Sequence, residues 1–225
     1  MRSMSLGHLH EEILEAARHL PESSALVVTE VPWDDYERLL EQLVERPRFR
    51  LSYDGGRLEI LSPSQRHEVC LKLIEDLVRA FAQARKLPLE KFGQTTWTRR
   101  VLDKGVEPDA CYYVENAERV IGKEELDLEF DPPPDIVVEI DITTRSMKKF
   151  SIYAALAVPE VWRYDGESLR IYELSAGKYV EIPASRFLPG LSGPVLAKHI
   201  ELSKTQGQTK ALNAFIRHIR SVLSR

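Results

Sequence analysis

Three carboxylates stand where they can share one cation: Asp109 in the segment VEPDACYYV, and Glu139 and Asp141 in PPPDIVVEIDIT. The second segment reads as a β-strand, and side chains alternate along a strand. Asp135, Val137, Glu139 and Asp141 then share one face, while Ile136, Val138 and Ile140 share the other and point into the core. An acidic strand face needs a positive partner, because crowded carboxylates raise one another's pKa until a cation neutralises them. Mg²⁺ suits such a face, since it takes oxygen ligands, keeps several waters, and commonly binds one or two carboxylates together with a substrate phosphate. Asp109 and Glu139 on adjacent strands fit that description, with Mn²⁺ as a possible substitute. Asp135 also follows a proline, but it lies on the same strand as Glu139, and capping the strand end is its expected role.

The elements around these residues are readable from periodicity. Residues 106–114 and 136–142 are β-branched-rich runs bounded by Gly or Pro and read as central strands, followed by a helix over 146–156. Upstream, Phe49, Leu51 and Tyr53 alternate with polar residues up to Asp54-Gly55-Gly56, and Leu58 and Ile60 resume the pattern of a β-hairpin. A long helix follows Ser62-Pro63-Ser64, with Val69, Leu73, Leu77 and Phe81 as its apolar stripe and an end near Lys86. Residues 8–20 and 33–45 predict two amphipathic helices ahead of the sheet. Short strands are expected over 161–164, 169–174 and 179–182, with turns at Asp165-Gly166 and Ala176-Gly177. The closing run QTKALNAFIRHIRSVLSR places Leu212, Phe215, Ile219 and Leu223 on one helical face, as expected of a docking helix whose late arginines complement its dipole.

The expected organisation is a single domain over 1–225, with its core at about 53–182, N-terminal helices in 1–46 and a C-terminal helix at 208–225. With 225 residues, 43% of them hydrophobic, the chain can bury a large core. The first twenty residues carry charges and histidines through every apolar stretch, so neither a signal peptide nor a membrane span is drawn, and a cytoplasmic location is expected. Cys70 and Cys111 have no CxxC spacing and read as buried free thiols. The net charge of −4 runs mildly against a nucleic-acid partner, but counterion release depends on local clustering of Lys and Arg and not on the chain total.

Pro108-Asp109, then Glu139 in a hydrophobic strand, resembles the core of the PD-(D/E)xK nucleases. The ordered set HEVCLKLI, EPDA, PDIVVEID and KFSIYAALAVPEVWRYD is more specific and looks like the Uma restriction-endonuclease family. The resemblance implies an α/β, restriction-endonuclease-like core with a mixed central sheet flanked by helices. It also implies Mg²⁺-dependent cleavage of DNA, with Asp109 and Glu139 as metal ligands and His67 matching a recurrent histidine at a helix start. The superfamily's ExK lysine is replaced here by Asp141. Lys149, four residues before Tyr153 as in the family's KxxxY arrangement, is the expected substitute. Lys148 points about 100° away on the helix. Asp141 then binds a second ion or holds Lys149. His67 and Glu68 remain open between a role in the site and a plain helix start, and Arg99 and Arg100 between phosphate contact and a solvated strand end. A homodimer is expected, because cutting both strands of a duplex calls for two sites. Two rival readings stand beside the endonuclease: a nucleic-acid-binding module of the same fold without catalysis, and a structural protein whose acidic strand is matched by Arg partners.

Overall fold

In a computed structural model, residues 9–43, 49–93, 95–142 and 149–223 are described. The chain runs α1 (Leu9–Arg18), β1 (Ser24–Val28), α2 (Trp33–Leu43), β2 (Arg50–Asp54), β3 (Arg57–Ser62), α3 (Gln65–Arg85), β4 (Glu90–Phe92), β5 (Trp97–Arg99) and β6 (Lys104–Val106). It continues with β7 (Ala110–Tyr113), α4 (Ala117–Val120), β8 (Ile136–Ile140), α5 (Phe150–Ala155), β9 (Glu160–Tyr164), β10 (Leu169–Ser175), β11 (Lys178–Ile182), α6 (Gly193–Gln206) and α7 (Gln208–Leu223).

The strands form two sheets, the expected mixed central sheet and a second one that contains the hairpin. The first is five-stranded, in the order β1-β3-β2-β6-β5, and every pairing in it is antiparallel. The second is six-stranded and mixed, in the order β11-β10-β9-β8-β7-β4, with β8 and β9 as its parallel pair. The expected strand over 106–114 is divided between them, for a local reason. Pro108 has no N–H to give a ladder, and Glu107 turns the chain by bonding back to β2: its N–H donates to the Leu51 carbonyl at 2.9 Å, and its Oε2 accepts from the Leu51 N–H at 2.8 Å. Val106 therefore ends a strand of one sheet, and Ala110 begins a strand of the other.

The predicted hairpin is β2–β3, and its turn carries Gly55 at φ 53° and Gly56 at φ 85°, the left-handed pair that a tight hairpin turn of this kind demands. Helix α3 starts at Ser64, whose side chain accepts from the His67 N–H at 3.2 Å, and stops at Lys86 in a left-handed cap. Its buried stripe is Cys70, Leu73, Ile74, Leu77, Val78 and Phe81. Val69, assigned to that stripe by the sequence reading, is 47% exposed, one position out of register with the core.

One face of the mixed sheet, with Ile136, Val138 and Ile140 of β8, shares an apolar core with α3, α6 and α7: α3 packs on β8, α6 on β10, and α7 on the other two helices. The opposite face, with Val137, packs on α4, α5 and Trp97. The acidic face of β8 is therefore also buried. A third apolar cluster joins α1 and α2 to the first sheet, where Tyr36 stacks on Tyr53 at 4.6 Å. There Gly105 is required, because a Cβ would overlap the Tyr36 ring. Periodicity did not reveal β1, β4, β5, α4 or α6. The predicted helix over 146–156 appears as α5 from Phe150; residues 146–148, and with them Lys148, lie outside the described residues, as do parts of the N-terminal expectations (1–8 and 44–48) and the side chain of Leu223.

Candidate active site

Asp109 sits at the junction of the two sheets, in the turn that Glu107 and Pro108 impose. Its backbone N–H donates to the Val138 carbonyl at 3.2 Å, and its Oδ2 accepts from the Ile140 N–H at 2.7 Å. These two bonds bracket Glu139, so the β7–β8 pairing sets the two carboxylates side by side. Both are buried: Asp109 is 2% exposed and Glu139 5%.

Around Asp109 stand two cationic groups from separate elements. His67, in the first turn of α3, brings Nε2 within 3.0 Å of Oδ2. Arg50, the first residue of β2, brings Nε within 3.5 Å of Oδ1, an ion-pair distance too long for a good hydrogen bond. The Arg50 guanidinium also donates to Glu68 Oε1 at 3.0 Å and to the Phe49 carbonyl at 3.1 Å. Burial favours the neutral form of Asp109, but His67, Lys149 and Arg50 outweigh it and hold the carboxyl below its usual range. The same contacts act reciprocally on His67. Burial pulls its pKa down, while Asp109 and Glu68 prevail and raise it to about 9.

Around Glu139 the partners come from α5 and the residue before it. Lys149 Nζ donates to Oε2 at 2.7 Å, and the Tyr153 hydroxyl donates to Oε1. Burial lifts the Glu139 carboxyl to about 7 against the pull of the Lys149 ammonium, with Asp109 and Asp141 adding to the rise. Lys149 is itself 5% exposed. Burial disfavours its charge, yet the carboxylates of Glu139 and Asp109 hold its pKa above the ordinary lysine value. The spacing of Lys149 and Tyr153 thus places both on one carboxylate.

Asp109, Glu139 and Lys149 therefore converge, and Asp141 stands to one side. Its Oδ2 accepts from Arg163 Nε at 2.6 Å, across the parallel β8–β9 pair. The lysine bonds to Glu139, and Asp141 contributes to the field at Lys149 from a distance. Asp135 caps its strand, accepting from the backbone of Val114 and Asn116 and from the Asn116 amide. Arg100 pairs with Asp34 at 2.6 Å and Glu37 at 2.7 Å on the surface, and not with the site carboxylates. Arg50 and Glu107 were missed by sequence reasoning. In the hairpin's alternation Arg50 is one of the polar positions, and only the fold shows that it is buried against Asp109.

A family model described as "Putative restriction endonuclease", Uma2, matches residues 33–204. No curated protein matches the chain. Among solved structures, a protein from Anabaena variabilis described as a putative nuclease belonging to DUF820 is similar, at 15% identity and a TM-score of 0.45, over 77% of this chain and 98% of that one. The family match takes in both predicted metal ligands, Lys149, the whole hairpin and all but the last two residues of α6, and on that extent the chain belongs to the Uma2 family of restriction-endonuclease-like proteins.

Proposed function

We propose that the protein is a Mg²⁺-dependent endonuclease that hydrolyses DNA phosphodiester bonds, with Asp109 and Glu139 as metal ligands and Lys149 as the third catalytic group. One observation carries the reading: two buried carboxylates on paired strands, with a lysine ammonium 2.7 Å from one of them. The donor set suits a hard divalent ion. Asp109 Oδ1 is buried and has no hydrogen-bond partner among the described residues, which leaves an anionic oxygen for a cation, and Glu139 lies beside it. Mg²⁺ takes few protein carboxylates and completes its shell with water and phosphate oxygens. No group of three or more His, Cys, Asp or Glu arranged to hold a metal ion is found among the described residues, so the ion would rest on this pair.

When bound, such an ion polarises a phosphoryl oxygen and acidifies a coordinated water. The chain's own residues do the rest. The Ile140 N–H and His67 fix Oδ2 of Asp109 so that Oδ1 faces the site. Tyr153 and Lys149 fix the two oxygens of Glu139. The Lys149 ammonium, held beside Glu139, is placed to orient the attacking water and to stabilise negative charge developing on the phosphate. Asp141 keeps Arg163 in place and is proposed to act on Lys149 through its field alone.

Cleavage of a duplex on both strands requires two such centres, which favours a homodimer. The two buried free thiols, Cys70 and Cys111, suit the cytoplasm as the place of work. No helix among the described residues is long and apolar enough to cross a membrane. Plasmid and branched DNA incubated with Mg²⁺, Mn²⁺ or chelator provide the test. Asp109→Asn, which keeps the shape of the side chain, is expected to lose metal-dependent cleavage while retaining its circular dichroism spectrum. Cleavage by Asp109→Asn at the wild-type rate overturns the assignment. The rival reading, binding without catalysis, draws on the matching of every site carboxylate by a protein cation, and DNA retained but never cut by the wild type would establish it.

A further inference from the structure

Arg50 has no part in the chemistry proposed above, yet it is 1% exposed and reaches Asp109 at the oxygen that would face a metal ion. Asp109 is asymmetric. Its Oδ2 is fastened by the Ile140 N–H and His67, whereas Oδ1 makes no hydrogen bond among the described residues and has Arg50 Nε at 3.5 Å. The other end of the guanidinium is anchored on Glu68, a half-exposed residue of α3. A planar guanidinium can span two carboxylates in this way because its five donors are spread over a fixed fork.

We propose that Arg50 is the resident counter-cation of Asp109 and, with Glu68 as its anchor, sets the affinity of the site for its divalent ion. The inference rests on the metal reading of the previous subsection. An ion on Oδ1 and the Arg50 guanidinium would both be positive and within a few ångströms, so each weakens the other's hold on Asp109. Glu68 shifts that balance. By drawing the guanidinium toward α3 it leaves Oδ1 in lateral ion-pair contact only, open to a stronger competitor. Arg50 is on this view a positioning residue, acting on the ligand Asp109 and not on the substrate.

The consequence is a pair of effects of opposite sign. Removing the charge with Arg50→Gln tightens metal binding, on the order of tenfold. Weakening the anchor to a neutral acceptor with Glu68→Gln loosens it by roughly threefold, because the guanidinium then shifts toward the charged Asp109; the direct field of the Glu68 carboxylate is screened by solvent. In the Arg50→Gln/Glu68→Gln double variant the second effect shrinks to what Glu68 exerts through His67, since there is no guanidinium left to anchor.

Mn²⁺ binding to the full chain, followed by electron paramagnetic resonance of the free ion in the absence of DNA, reads these effects independently of cleavage. A packing defect would weaken binding in both single variants alike, and that result, or unchanged affinity in Glu68→Gln, overturns the proposal. If Arg50→Gln does not fold, the half-exposed Glu68→Gln still decides it. Wild-type protein that binds Mn²⁺ only through Asp109, with no response to either substitution, removes this proposal and leaves the nuclease reading standing. Wild-type protein that binds no Mn²⁺, or binds it equally well as Asp109→Asn, removes both.

Discussion

The ion pair between His67 and Asp109 makes the stability of the fold depend on alkaline pH in a way that can be isolated. His67 is 3% exposed, its Nε2 lies 3.0 Å from Asp109 Oδ2, and its pKa rises from 6.5 to about 9 although burial opposes the charge. A group whose folded value is raised contributes stability that is fully present below its unfolded value, and loses it as pH climbs through the folded value. The window is therefore from about 6.5 to about 9. At 1.36 kcal/mol per unit, the contribution at its full extent is roughly 3 kcal/mol, an order-of-magnitude figure. The perturbation is His67→Gln, which cannot carry the charge. Urea denaturation of both proteins at intervals from about pH 6 to about pH 10 gives the stability difference between them, in which the titration of every shared group cancels. That difference is expected to be largest at the acid end and to shrink by roughly 3 kcal/mol across the window. A difference that stays level from end to end, or that grows with pH, would refute the claim that a cationic His67 is held by Asp109.

Two further perturbations probe the parts of the site and the frame that carries it. Lys149→Met leaves Glu139 buried without its ammonium. The Glu139 carboxyl, already lifted to about 7 by burial, then rises further and is neutral at acid pH. A carboxyl with a raised folded value costs stability above its unfolded value, so the variant should lose more on the alkaline side, about 1–3 kcal/mol more near pH 8 than near pH 5 by urea denaturation. Equal losses at both values would count against Glu139 as the partner. Gly193→Ala opens a clash of a different kind, because a Cβ there would run into the Leu169 carbonyl, a backbone atom of β10 that has nowhere to go. Thermal unfolding should fall by several degrees, corresponding to about 1–3 kcal/mol of overpacking, and an unchanged midpoint would show that α6 can slide.

What the residues alone determine is the family, the candidate site residues and most of the periodic structure. Alternation gave the β2–β3 hairpin and its glycine turn, and helical spacing gave α2, α3 and α7. The pairing of an acidic with an aliphatic face along residues 135–141 marked Glu139, and the family-like order of segments brought in Asp109 and Lys149. Short strands such as β4 and β5, each of three residues, carry too few positions for any period to show. Helix α6 was missed because its buried face includes Gly193 and His199, while Val195, Ala197 and Leu202 place apolar residues off that face.

Tertiary structure alone decides which charges meet. Arg50 and Asp109 are 59 positions apart in sequence (109 − 50) and come into contact only because Glu107 folds the chain back on β2 before Pro108 releases it into the second sheet. The polar positions Arg50 and Ser52 of the hairpin are buried as well as the apolar ones. Periodicity reports which residues share a face, through the fixed geometry of one element. It carries no information about what lies opposite, because that depends on the pairing of segments whose separation along the chain is free to vary.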